Sequence, residues 1–324
     1  MMKALSAILL TVFAVGITEA QAQTFSGKPV TIVVPFAAGG PIDTLTRIMA
    51  ERMKETLGQP VLEENTAGAA GSIAAGRVAR ATPDGTTLIT ALWGTHVANA
   101  AIYKLNYDVQ KDFEPVALIS SNPLLIVGKK GLPASNLTEL VVWLKANPGK
   151  ASQGTSGVGS VGHIGGVFFQ NITGTQFQFV PYRGLGPAMQ DLVAGNIDLI
   201  FDTPATSLPQ VNAGTVRAYA VTAKSRLPVA PNILTVDEAG LPGLHISTWT
   251  AFFAPKGTSK EVVTKLNAAA TEALADPVVR RRLAEIGQDI YPREQQTPEA
   301  LAALQKAELE KWTPIIKAAG INPE

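Results

Sequence analysis

Between a β-branched run, Val30-Thr31-Ile32-Val33-Val34, and a helix-spaced apolar series, Leu45, Ile48, Met49, Met53 and Leu57, lies Pro35-Phe36-Ala37-Ala38-Gly39-Gly40-Pro41-Ile42-Asp43. A short strand, a small-residue loop and a helix with proline at its first position allow few alternatives to an α/β unit. The two glycines let a ligand approach the backbone, and a helix start leaves N–H groups without intrahelical partners. Such a junction favours an anion without any basic side chain. Taken singly it is equally an ordinary strand-to-helix turn. The rest of the chain repeats it.

Pro60 to Asn65 reads as a second strand, and Ala67-Gly68-Ala69-Ala70-Gly71-Ser72 leads into a helix through Ile73, Val78 and Ala79. Pro83-Asp84-Gly85 is a turn before a strand over 86–92, whose end carries Trp93-Gly94-Thr95-His96. Ligands of open α/β sheets lie beyond the carboxyl ends of strands, so Thr95 and His96 are candidates for the site. His96 is equally a capping or surface histidine. The apolar stretch 113–127 contains the strand expected to leave a first domain, and 138–146 reads as an amphipathic helix ended by Asn147-Pro148-Gly149.

Gly157, Gly159 and Gly162 match the dinucleotide pattern G-x-G-x-x-G. The preceding strand is very short, and the next, Gln176 to Val180, ends in proline and tyrosine instead of an acid that would hold a ribose, which excludes the cofactor. What remains is a second glycine-rich helix start, with Ser156 and Ser160 as hydroxyl donors or caps and His163 one turn in. Pro181 to Pro187 is a third, carrying Arg183, which would fork onto a carboxylate or pair with a nearby acid. Asp202 ends the strand 197–201, either facing a ligand or capping the helix begun by Pro204. Further on, 216–222 and 249–254 read as strands, and 261–275 and 300–318 as helices.

Residues 1–22 have a positive start at Lys3, an apolar stretch over 4–17 and Ala20-Gln21-Ala22, a small-x-small cleavage site. The expectation is a signal peptide cut after Ala22. Its loss removes one basic residue, Lys3, and one acidic residue, Glu19, so the net charge stays at +1. That balance argues against nucleic acid as a partner. The chain has no cysteine, so no disulfide framework is available. Roughly 300 residues exceed one comfortable core and suggest two domains.

The pieces KPVTIVVPFAAGGPID, PDGTTL, NYDVQKDFEPV, NPGKASQGTSGVGSVGH, VPYRGLGPAMQDLVAGNIDLIFD and WTAFFAPKGTSKEVV together resemble the substrate-binding receptors of tripartite tricarboxylate transporters, the Bug family. The resemblance implies an α/β, two-domain periplasmic binding protein of type II-like topology, with mainly parallel sheets flanked by helices and a central ligand cleft. It implies domain one as 23–123 with 248–324, domain two as 124–247, and a hinge near Ser121 to Leu125 and Ile246 to Thr250. Carried onto this chain, the ligand-binding set is Ala38, Gly39, Gly40 and Asp43 facing Ser156, Ser160, His163 and Arg183, with Thr95 and Asp202 beside them. The ligand would be a small organic carboxylate: a di- or tricarboxylate, an aromatic acid or an acidic amino acid. The partners would be the permease subunits of a tripartite tricarboxylate transporter, and the receptor a monomer without cofactor or metal.

Asp43 sits awkwardly in that set, since an anion at a helix start repels an anionic ligand. It reads either as a cap or as a partner for a ligand ammonium. Phe36, Trp93, Tyr182 and Trp249 would suit an aromatic acid if they border the cleft, and are otherwise core. Two other readings compete, a ligand-binding component that signals to a membrane sensor and a secreted hydrolase. Against the hydrolase, no G-x-S-x-G surrounds Ser72, Ser156 or Ser160, and the three histidines form no H-E-x-x-H pair.

Overall fold

A computed structural model describes residues 27–36, 38–182 and 185–321. The expected signal peptide lies outside the described residues. Two sheets organise the chain. The six-stranded first sheet runs β11-β4-β10-β3-β1-β2, with β1 Val30–Val34, β2 Val61–Asn65, β3 Thr87–Leu92, β4 Phe113–Pro123, β10 Ser247–Pro255 and β11 Asp289–Ile290. The five-stranded second sheet runs β7-β6-β8-β5-β9, with β5 Leu125–Lys129, β6 Ser152–Thr155, β7 Gln178–Pro181, β8 Leu199–Asp202 and β9 Val216–Val221.

The α/β architecture agrees with the sequence reading, but both sheets are mixed instead of mainly parallel. β1 pairs parallel with β2 and β3, while β10 pairs antiparallel with β3 and β4. In the second sheet β6 pairs parallel with β7 and β8, while β5 runs antiparallel to β8 and β9. β5 and β10 are reversed where the chain crosses between sheets, because a strand that leaves or returns enters its new sheet from the other end; β11, antiparallel to β4 at the sheet edge, is a further reversed strand. Leu124 alone separates β4 from β5, and residues 222–246 lead back to β10.

The two crossings are tied together by buried Thr222. Its hydroxyl accepts the Leu124 N–H at 2.8 Å and donates to the Ile246 carbonyl at 2.5 Å. Its own N–H donates to the Leu124 carbonyl at 2.8 Å, and the Ile246 N–H donates to the Thr222 carbonyl at 3.3 Å. Leu124 and Ile246 fall within the two stretches, Ser121 to Leu125 and Ile246 to Thr250, expected to form the hinge.

Helices cover the sheets. α1 Pro41–Leu57 begins with proline at its first turn and ends at left-handed Gly58, as its sequence punctuation requires. It packs Leu45, Ile48, Met49 and Met53 with α8 Lys260–Ala275 and α9 Pro277–Glu285 against Val30, Ile32 and Leu88. The other face of the first sheet takes α2 Ser72–Ala79, α3 Asn99–Ile102 and α10 Pro298–Ala318. That core continues without a break into α4 Leu137–Ala146 and α5 Val161–Thr173 of the second sheet. α6 Leu185–Ala194 and α7 Pro204–Asn212 cover the second sheet's remaining face. Among the described residues no helix is long and apolar enough to cross a membrane.

Candidate functional site

A cleft of about 730 Å³ lies between the carboxyl ends of the parallel strands of the two sheets. The first sheet contributes Phe36, Pro41 and Ile42 from the β1–α1 junction and Trp93, Gly94 and Thr95 after β3. The second contributes Ser156, Val158, Gly159 and Ser160 after β6, Leu185 and Gly186 at the start of α6, and Thr203, Ala205 and Thr206 at the start of α7. Four helices, α1, α5, α6 and α7, thus open onto one space at their N-terminal ends. Among the described residues the wall includes no carboxylate, lysine, arginine or histidine: its polar groups are hydroxyls, the Trp93 indole N–H and the amides of Asn99, Asn122 and Gln288. An arrangement of this kind stabilises negative charge with backbone dipoles and neutral donors alone.

The sequence candidates divide into those on the wall and those behind it. Thr95, Ser156 and Ser160 are on the wall, and the β1–α1 junction reaches it through Phe36, Pro41 and Ile42. Gly39 and Gly40 lie within that junction: Gly39 takes φ +83°, and Gly40 is an N-cap without a side-chain bond. Ala38 is the exposed neighbour of Gly39, while Ala37 lies outside the described residues.

Asp43 turns away from the cleft. It accepts the Gly39 N–H at 2.8 Å, Arg47 Nε at 3.0 Å and Nη2 at 3.1 Å, and Asn65 Nδ2 at 3.0 Å. The Arg47 guanidinium, with the backbone and amide donors, lowers its carboxyl to about 2 against the cost of burial. Of its two readings, the local one describes these contacts: Asp43 tightens the loop before α1.

His96 is not on the cleft wall. It is fully buried, stacked on Phe253 at 4.7 Å and edge-on to Phe113 at 4.8 Å between centroids, and burial lowers its pKa to about 3. The physical reason is a π-helical turn over Gly94–Ala98, which leaves Thr95 bordering the cleft and packs His96 among the core aromatics. Thr95 Oγ1 accepts the Leu92 N–H at 3.0 Å and donates to the Leu92 carbonyl at 3.1 Å. Its single proton being used, His96 Nδ1, at 2.9 Å, must be the donor to the remaining lone pair. That tautomer leaves a lone pair, not an N–H, on the unpartnered Nε2. The Thr95 hydroxyl is therefore saturated inside the turn, and its methyl packs close to Gly71.

His163 and Asp202 are likewise absent from the wall. His163 Nδ1 accepts the Gly159 N–H at 3.0 Å, its ring meets Phe179 edge-on, and burial lowers its pKa. Asp202 is fully buried, accepting the Thr203 N–H at 2.6 Å and Ser207 Oγ at 2.9 Å, and burial raises its carboxyl to about 6. It braces the start of α7, whose N-cap Thr203 is on the wall. Arg183 lies outside the described residues. Of the aromatics, Phe36 and Trp93 border the cleft. Trp249 is core, and the Tyr182 hydroxyl donates to Asp191 at 2.6 Å.

The glycine pattern that imitates a dinucleotide loop has another purpose. Gly157 and Gly159 take φ +123° and +77° to turn the chain. A Cβ on Gly162 would lie 2.6 Å from the Phe201 carbonyl oxygen, so this glycine lets α5 sit directly on β8.

Several wall residues escaped the sequence reading. Asn99 donates to the Ala70 carbonyl at 2.9 Å and to Ser72 Oγ at 3.1 Å, fixing a turn in which Gly68, Ala69, Ala70 and Gly71 all have positive φ. Asn122 and Thr248 come from the crossings, whose position was legible although their part in the wall was not. Ile286 and Gln288 precede β11, which is two residues long and carries no periodic signal.

Comparison with known proteins gives one consistent result. The family model described as tripartite tricarboxylate transporter family receptor matches residues 45–321. A UPF0065 protein of Agrobacterium vitis is 44% identical over 304 residues, covering 93% of this chain and 87% of that protein. MatC of Rhodopseudomonas palustris, solved with bound malate, is similar with a TM-score of 0.76 at 41% identity, over 89% of this chain and 99% of that one. A second R. palustris structure, solved with adipate, gives a TM-score of 0.78 at 35% identity, over 92% of this chain and 99% of that one.

Proposed function

This chain belongs to the tripartite tricarboxylate transporter receptor family, and from that premise we propose that it is a periplasmic receptor for a small organic carboxylate. It is exported by residues 1–22, cut after Ala22, and delivers its ligand to the permease subunits of such a transporter. It acts as a monomer and carries out no reaction. Its two domains are 23–123 with 248–324 and 124–247, and they close on the ligand.

The observation that carries this reading is the convergence of four helix starts on a cleft whose described wall has no carboxylate, lysine, arginine or histidine. The malate and adipate in the two R. palustris structures support the same class. We assign ligand contact to Ala38, Gly39 and Gly40 on one side and Ser156 and Ser160 on the other, joined by Thr203 and Thr206. Arg183 retains its assignment from the family pattern. Asp43, His96, His163 and Asp202 act one layer back, holding the loops that bind.

Charge-assisted hydrogen bonds contribute about 1.5–3 kcal/mol each, and a partly buried helix terminus up to ~2. Three or four such contacts, less the cost of ordering and closure, suffice for the roughly −8 kcal/mol of a micromolar complex. The test is a melting-temperature screen of the chain from Gln23 against mono-, di- and tricarboxylates. A ligand at a hundred times its dissociation constant adds about 2.7 kcal/mol. One coherent class of stabilising acids, recovered unchanged after incubation and lost on bulky replacement of Gly40 or Ser156, is the expected result. Consumption of the acid, or no stabilisation of folded protein by any carboxylate, would sink the reading.

A further inference from the structure

The cleft is unequally furnished, and the inequality bears on which carboxylate enters. Two large apolar side chains on its wall are left in water: Phe36, 38% exposed, on the β1–α1 junction, and Val158, 42% exposed, on the β6–α5 loop. They come from different sheets and flank the same space. Ile42, Ile102, Leu185 and Ile286 extend this apolar surface. Large hydrophobic side chains exposed inside a cleft gain most when an apolar body covers them.

Positive charge is disfavoured on the same wall. The N-terminal ends of α1, α5, α6 and α7 present partial positive charge. The two carboxylates nearest in the chain to these ends are already committed. Asp43 is held by Gly39, Arg47 and Asn65, and Asp202 by Thr203 and Ser207 beneath the surface. An ammonium brought here would be desolvated among like-signed dipoles with only neutral acceptors on the described wall.

Resting on the carboxylate-receptor reading above, we propose that the ligand is a carboxylate without an ammonium group whose body, an alkyl chain or aromatic ring, is gripped between Phe36 and Val158. Acidic amino acids are thereby removed from the candidate ligands, and these two side chains become the specificity determinants.

The test is calorimetric titration of the chain from Gln23 with matched pairs: succinate and aspartate, adipate and 2-aminoadipate, 3-phenylpropionate and phenylalanine. In each pair the amine-bearing member is expected to bind at least about tenfold more weakly, the size of an unpaired charged group. Phe36→Ala and Val158→Ser are expected to weaken adipate and 3-phenylpropionate by about fivefold to tenfold and succinate by less than about twofold. Both positions are exposed, and an unchanged melting temperature of the ligand-free variants verifies that they fold. Equal or tighter binding of the amino acids, or equal weakening of all acids by the substitutions, overturns this inference and leaves the receptor reading standing. If no member of the panel binds folded protein, the receptor reading fails and this inference with it.

Discussion

The starts of α1 and α5 face the same cleft from opposite sheets and are built differently. α1 begins at Gly40, with no side-chain cap and with its nearby carboxylate, Asp43, folded back onto the preceding loop. α5 begins at Ser160, whose Oγ accepts the His163 N–H at 3.3 Å, while the His163 ring accepts the Gly159 N–H. The loop richer in glycine is therefore the more self-satisfied of the two. Glycines give a chain the freedom to turn; they do not by themselves count the donors left for a ligand. One side of the cleft presents an uncapped helix end, and the other presents hydroxyls standing on an already closed turn.

The largest test of this contrast concerns Gly162, assigned here to packing. Gly162→Ala drives a Cβ against the Phe201 carbonyl, which belongs to a strand and has little room to retreat. A loss of about 2–4 kcal/mol in urea unfolding is expected. If Gly162 instead served a bound group, stability would hold and affinity alone would fall.

The two histidines that follow the loops sharpen the comparison through pH. Folded-state pKa values lowered from 6.5, to about 3 for His96 and in the same direction for His163, mean that the unfolded chain takes up protons first. Their stability term is intact above about pH 6.5 and is lost as pH falls toward the folded values, most of it from fully buried His96. Asp202 works in the opposite sense. Raised from 3.8 to about 6, it costs stability as pH rises through that interval, so it flattens the profile between pH 4 and 6. His96→Gln is expected to lower stability at pH 7 and to remove most of the decline between pH 6.5 and 4, measured by denaturant melts. An unchanged decline would place its origin elsewhere.

A smaller effect is expected at the uncapped end. Gly40→Asp supplies α1 with a side-chain cap and a negative charge in the cleft. Carboxylate affinity is expected to drop about tenfold or more, while stability is unchanged or rises by a few tenths of a kcal/mol. A parallel fall in both would mean that the loop had simply been damaged. The smallest change is at Ala70, whose φ of +51° suits glycine far better than alanine. Ala70→Gly is expected to stabilise by about 0.5–1 kcal/mol in thermal or urea melts, because relief of left-handed strain exceeds the added chain entropy. A net loss would show that the surrounding bonds, with Asn99 foremost, already absorb the strain.

The order of strands and helices was legible because it is written locally. Pro41 and Gly58 bracket α1, and β-branched runs mark β1 and β3. Strand direction was not, since whether β5 and β10 run parallel to their neighbours depends on where the chain crosses between sheets. Several of the loops read as candidates border the cleft, but which side chains they present was not legible. Thr95 and His96 are adjacent and both buried, and only Thr95 borders the cleft, a distinction set by the π turn. Asp43 and Asp202 looked available because sequence does not reveal Arg47, Asn65 and Ser207 closing around them.

Thr222 has a mechanical consequence. Its backbone and hydroxyl hold Leu124 and Ile246 at once, inside the protein. Sliding one sheet past the other would break that knot, whereas a twist about it needs only small dihedral changes. In the proposed closure this arrangement favours rotation about the two crossings over sliding, so the travel of each helix start grows with its distance from them. A glycine-rich loop farther from Thr222 would then sweep a longer arc than Asn122 and Thr248, which lie on the cleft wall two residues from Leu124 and Ile246. The floor of the cleft can then hold its shape while the mouth changes.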